Sequence, residues 1–183
     1  MWKPIAFFIA TGLLVYISRA SLRQAGSHGF YRFFAWESIL VLFLLNVEKW
    51  FVDPFSWHQL IAWTLLFASL APLIFGVRSL RGRGHPTDER PGDPSLLAFE
   101  KTTALVTSGI YGYIRHPMYA SLLALAWGVF FQAPSWPGTV LAGMASLLLV
   151  LTARADENEC LAYFGAPYAA YMRRTRRFIP YVF

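Results

Sequence analysis

Two clusters of residues have types and spacings suited to chemistry. The first is Leu105-Val-Thr-Ser-Gly-Ile-Tyr-Gly-Tyr-Ile-Arg-His-Pro-Met-Tyr119, a polar, aromatic stretch that runs straight into an apolar segment. Pro117 suits the first turn of a helix, where its missing N–H and fixed φ carry little penalty. It also pushes His116 out of the α region. Arg115 and His116 therefore stand at a helix entrance, where free N–H groups and the dipole favour an anion such as a carboxylate. Gly109 and Gly112 allow a turn or a close backbone approach to a ligand. Tyr111, Tyr113 and Tyr119 offer rings that pack on a ligand or a cation. The second cluster is Asp156-Glu157, followed by Phe164-Gly165 and by Tyr168 and Tyr171. Each cluster also has a plainer reading: a basic, aromatic anchor at a membrane interface for the first, and a salt-bridged interfacial helix for the second.

The elements that must position these groups are membrane-like. Hydrophobic residues make up 56% of the 183 residues and charged residues only 14%, with a mean hydropathy of +0.44. A soluble domain carries about 25% charged residues. Aromatics at 17% fit interfacial belts of Trp and Tyr. The net charge of +6 raises nucleic acid as a partner, but the basic residues flank apolar spans, so anionic lipid headgroups are the simpler one. Cys160, the single cysteine, excludes an intrachain disulfide and a multi-cysteine metal site. No metal-ligand spacing links His28, His58, His85 and His116, and no metal is expected.

Five apolar runs are expected to cross the bilayer: Trp2 to Ser18, Phe33 to Val47, Trp57 to Val77 (with Pro72 as a kink), Pro117 to Phe131 and Gly138 to Ala153. Residues 20–32 read as a polar turn. Arg78 to Pro94 reads as a Gly/Pro-rich connector or a mobile cover for a site. Arg154 opens a helix that leaves the membrane. The expected fold is thus all-α and polytopic, one domain over residues 1–183, with a helical C-terminal segment. All Lys and Arg except Lys3 and Lys49 fall on one side if the N-terminus lies outside, which puts the C-terminus and both clusters on the cytosolic face. Glu37 is a carboxylate inside a span, which is costly unless it has a partner or a wet cavity. The tail interleaves Tyr168, Tyr171, Phe178 and Tyr181 with Arg173, Arg174, Arg176 and Arg177, and reads either as an amphipathic segment on anionic lipid or as a closure of the site.

The pattern L-V-T-x-G-x-Y-x-x-x-R-H-P-x-Y resembles the signature of the membrane-embedded methyltransferases, the superfamily of isoprenylcysteine carboxyl methyltransferases and phospholipid N-methyltransferases. The acidic pair, Phe164-Gly165, Tyr168-x-x-Tyr171 and Pro180 resemble its second motif, with Asp156 where the family has Glu. The likeness covers roughly residues 100–180, with the motifs in 100–119 and 154–180. It implies S-adenosyl-L-methionine as cofactor, bound by Gly109, Tyr111, Tyr113, Arg115, His116, Pro117, Tyr119, Asp156 and Glu157. It further implies a lipophilic acceptor, foremost an isoprenylcysteine-type carboxylate and otherwise a phospholipid amine; the expected location is a prokaryotic inner membrane. Glu37 and Arg174 are the expected acceptor-side, catalytic groups. Membrane sterol reductases share an Arg-His-Pro-x-Tyr element, so a nicotinamide-dependent reductase is an alternative, as is a non-catalytic scaffold.

Overall fold

The computed structural model describes residues 2–87, 96–98 and 100–182. The described residues are helical apart from turns and two isolated β-bridges. The helices are α1 (Trp2–Ser18), α2 (His28–Asn46), α3 (Trp57–Arg83), α4 (Pro117–Gln132), α5 (Trp136–Phe164) and α6 (Ala166–Arg174). The closest packing is α3 against α4 and α2 against α5, while α1 leans mainly on α2. The layer between α2, α4 and α5 is built from Ala35, Ile39, Leu42, Tyr119, Ala126, Val129, Ala145 and Leu149. Apolar residues elsewhere point outward: Phe8, Ile9, Phe67 and Leu147 are all exposed. That inversion is what a bilayer solvent requires.

Three helical stretches are long and apolar enough to cross a membrane: His28–Lys49, Trp57–Arg83 and Trp136–Phe164. This corrects the expectation of five such spans, because α1 and α4 have only 17 and 16 residues. At 1.5 Å per residue they reach about 25 Å, short of a hydrocarbon core of about 30 Å. Boundaries move too. Ser27 caps α2 by accepting from Phe30 N, so the helix starts five residues before the apolar run and absorbs part of the expected 20–32 turn. Helix α3 continues past Val77 to Arg83, which makes the first third of the expected connector helical; residues 88–94 of that connector, and any covering role for them, lie outside the described residues. Helix α5 is continuous from Trp136 to Phe164, so the acidic pair of the second motif sits on the end of a long span, while Tyr168 and Tyr171 follow on α6.

Side chains satisfy the end of α4 farthest from the motifs. Asn46 Nδ2 donates to Val129 O (2.8 Å), Gln59 Nε2 to Gln132 O (3.1 Å), and His58 Nδ1 meets Phe131 O (3.0 Å). Terminal carbonyls of a helix have no intrahelical donor, and these three supply one from protein. A short helix can thereby end inside the fold.

Gly128 sets the α3–α4 approach. A Cβ there would stand 2.9 Å from Leu66 Cγ and 3.1 Å from Leu66 N. Gly128→Val is expected to destabilise by about 1–3 kcal/mol through overpacking, whereas Gly143→Ala, where a Cβ meets nothing within 4 Å, is expected to be neutral or stabilising. Thermal unfolding in detergent measures both.

Candidate functional site

The start of α2, the end of α3, the start of α4, the end of α5 and α6 border a cavity of about 570 Å³, within the range of small-molecule sites. Its wall is apolar and aromatic (Leu80, Leu105, Val106, Met118, Tyr111, Tyr168, Tyr171), broken by His28, Glu100, Arg115, His116, Tyr119, Asp156, Glu159 and Cys160. The two sequence clusters meet here. His116 Nδ1 lies 3.4 Å from Asp156 Oδ2, and His116 Nε2 lies 3.4 Å from Glu157 Oε1 without an aligned hydrogen bond. Tyr119 stacks on the His116 ring at 5.3 Å and donates its hydroxyl to Asp156 (3.2 Å). Pro117 opens α4 directly on the cavity.

Not every expected ligand faces it. Glu157 is buried and committed to two cations. Arg115 Nε and NH2 reach it at 2.9 and 2.8 Å, and Arg177 donates from Nε and NH2, the latter at 2.7 Å. Arg115 in turn donates to Met172 O and Thr175 O. These groups hold the site together and are spent before a ligand arrives; Glu157 does not line the cavity, and Arg115 reaches it only as a fully engaged wall. Gly109 (φ +66) turns the chain against Arg83 and Ser79, outside the cavity. Tyr113 is exposed and borders a smaller hollow with Arg173, Arg174, Arg176 and Tyr181. Arg174 is thus at the surface, away from the main cavity. Glu37 accepts from Thr11 Oγ1 (3.0 Å) across the α1–α2 contact. The partner demanded by its burial is a neighbouring helix, and an acceptor role for Glu37 or Arg174 has no geometric footing at this cavity.

The tail seals the site. Arg176 N donates to Tyr113 O, and Arg115 N and His116 N donate to Arg176 O and Arg177 O. Tyr171 Oη donates to Tyr111 O at 2.7 Å, which gives the Tyr-x-x-Tyr motif its structural sense. The turn from α5 into α6 requires Gly165, at φ +62 and ψ −135, a conformation that side chains with a Cβ avoid. Burial pushes the hydroxyls of Tyr111, Tyr168 and Tyr171 well above the ordinary tyrosine range, so all three stay neutral.

Sequence reading missed four contributors. His28 comes from the first turn of α2, and Glu159 accepts from both its backbone N–H and its Nδ1. Asp156 and Glu159 are three residues apart, a same-face spacing on a helix that was visible in the sequence. The donor atoms of His28, Asp156 and Glu159 all lie within 4.8 Å of one another. Arg32 and Glu100 form a buried pair at 2.8 Å that ties the segment before the first motif to α2.

His116 carries a pH signature. Burial lowers its pKa, but the Asp156 and Glu157 carboxylates outweigh burial, and the net shift is upward from 6.5. A raised folded-state pKa contributes stability that is complete below the unfolded value and is lost as pH rises through the folded value. The protein is therefore expected to lose stability from pH 6.5 upward, and His116→Gln should flatten that slope in denaturation profiles.

The fold and site define a membrane-type helical protein with an aromatic-walled pocket that carries carboxylates beside a helix entrance. Residues 96–164, which span the first motif and the acidic pair, match the family model described as phospholipid methyltransferase, and this bears out the likeness to the membrane-embedded methyltransferase superfamily. A curated relative, the Delta(14)-sterol reductase TM7SF2 of Mus musculus, is 33% identical over 104 residues, which is 52% of this chain and 25% of the reductase. The chain thus aligns with only a quarter of that relative's length. No solved structure matches the chain.

Proposed function

We propose that the protein transfers the methyl group of S-adenosylmethionine to an amine on a lipid headgroup at the membrane surface. The observation that carries this is the single cavity in which His116, Tyr119 and Asp156 from the two motifs converge. Its donor set fits the cofactor. Asp156 supplies an acceptor for an ammonium or a ribose hydroxyl. The entrance of α4 beside His116 suits a carboxylate, and the faces of Tyr111 and Tyr168 suit a sulfonium. When bound, the cofactor supplies an electrophilic methyl; the chain's part is to hold nucleophile and methyl in line in a dry pocket.

The acceptor preference follows from charge. Asp156 and Glu159 line the cavity as carboxylates, while Glu100 is neutralised by Arg32 and the one arginine in the wall is already paired with Glu157. Such a wall favours a cationic headgroup over a prenylcysteine carboxylate, reversing the order expected from the motifs, and the phospholipid methyltransferase match over residues 96–164 supports the same choice. Likeness to a sterol reductase keeps one rival, a nicotinamide-dependent reduction.

The test is incubation of purified protein with methyl-labelled S-adenosylmethionine, phosphatidylethanolamine vesicles and a panel of prenylcysteines. Label in N-methylated phospholipid is expected. Label on the prenylcysteine ester instead, or turnover only with NADPH and a sterol, contradicts the proposal.

A further inference from the structure

Apart from the residues of the recognised patterns, a titratable pair faces the cavity with a geometry that binding alone does not require. His28 is 1% exposed and lines the cavity from the first turn of α2. Glu159, on α5 and 131 residues away, accepts from the His28 backbone N–H at 2.9 Å and engages the imidazole Nδ1. A carboxylate holding both the backbone and one ring nitrogen fixes the ring's orientation and its tautomer. With Nδ1–H directed at Glu159, the neutral ring carries its basic lone pair on Nε2. The same carboxylate stabilises the imidazolium formed when Nε2 takes a proton. This base-plus-orienter arrangement recurs in general-base catalysis. It stands within 4.8 Å of Asp156, the carboxylate assigned above to the cofactor, so the ring borders the reacting region.

We propose that His28, positioned by Glu159, is the catalytic base that removes a proton from the acceptor amine. This rests on the methyltransferase reading and deepens it. A lipid ammonium has no lone pair and is inert until deprotonated. His28 Nε2 takes the proton from R–NH₃⁺, giving R–NH₂ and an imidazolium held by Glu159. The amine nitrogen then forms a bond to the methyl carbon as the carbon–sulfur bond breaks, its electron pair staying on sulfur. The products are R–NH₂–CH₃⁺, neutral S-adenosylhomocysteine and protonated His28, which returns its proton to solvent. A carboxylate acceptor needs no such base, so the pair also accounts for the acceptor class. The charged groups acting on His28 are Glu159 and Asp156 from α5, Glu100 from the segment before the first motif, and Arg32 from its own helix.

The test compares wild type, His28→Asn and Glu159→Ala in phosphatidylethanolamine vesicles between pH 6 and 10, with S-adenosylhomocysteine affinity measured alongside by calorimetry. His28→Asn is expected to lower kcat by about 10²–10⁴-fold, leave S-adenosylhomocysteine affinity within about twofold, and convert the pH–rate profile into one that climbs about tenfold per unit toward the amine's own pKa. Recovery at high pH marks a lost base, because solvent then deprotonates the amine; a merely structural defect does not recover. Glu159→Ala should lower kcat in the same sense with the same alkaline recovery. Wild-type kcat and pH profile in His28→Asn overturn the inference. So does loss of S-adenosylhomocysteine binding in that variant, or EDTA-abolished activity restored by a divalent metal, which would make the trio a cation site. If wild type methylates no lipid amine at any pH, the functional reading itself falls and takes the base with it.

Discussion

Glu157→Ala is expected to be the most damaging single substitution in the second motif, and through folding before chemistry. Its carboxylate is the common partner of Arg115 and Arg177, with contacts of 2.7–2.9 Å and a side chain 4% exposed. Removing it leaves the Arg115 guanidinium, itself 8% exposed, buried beside His116 without a counter-charge. Breaking one partner out of such a cluster costs about 3–5 kcal/mol, which for a chain of this size lowers Tm by on the order of 10 °C. The tail should loosen with it, since Arg177 ties it ionically to α5 and its backbone pairing to residues 113–116 runs directly alongside. Limited proteolysis after α6 should accelerate together with the fall in Tm. Unchanged Tm and protease resistance would return Glu157 to the ligand role that its place in the motif suggests.

Arg32→Ala should be comparably costly at the other wall of the cavity. Arg32 is 4% exposed, its NH1 lies 2.8 Å from both Glu100 oxygens, and the Glu100 carboxylate also accepts from Leu97 N. The pair pins the segment that leads into the first motif onto α2. Taking away the cation strands a buried carboxylate, again at about 3–5 kcal/mol, whereas replacing both with similar-sized apolar residues can be neutral or stabilising. Arg32→Met alone should therefore unfold earlier than Arg32→Met/Glu100→Met. If the double variant is the less stable of the two, the pair does more than anchor the segment, and Glu100 belongs with the ligand-facing groups.

Much of the architecture was legible because apolar runs and breakers mark it directly. Helix α1 ends at Ser18, where the apolar run gives way to Arg19, and α4 begins at Pro117, the residue that fixes its first turn. The convergence of the two motifs was legible as well, since one opens α4 and the other closes α5, two helices joined by a short turn. What the sequence hid was partnership. Arg115 and Glu157 have the right types for cofactor ligands, but their neighbour Arg177 comes from the tail, and only folding reveals that the three satisfy one another. Glu37 accepts from Thr11, on a helix whose apolar sequence gives no hint of pairing. The start of α2 was obscured by Gly29 and Arg32, which read as turn residues, although Ser27 three residues before Phe30 is an ordinary N-cap spacing. With that helix start went His28, and with His28 the significance of Glu159, since no local pattern couples residues 131 positions apart.

The central claim is that the cavity shared by the two motifs holds S-adenosylmethionine, with Asp156 as its ligand. The most direct measurement is calorimetric titration of the purified protein with S-adenosylhomocysteine and, separately, with NADPH, on wild type and Asp156→Ala. The account predicts saturable binding of S-adenosylhomocysteine, none of NADPH, and a loss of about 10- to 100-fold in affinity in the variant, the worth of one hydrogen bond to a charged group. Binding of NADPH in place of S-adenosylhomocysteine, or S-adenosylhomocysteine affinity indifferent to Asp156, would contradict it.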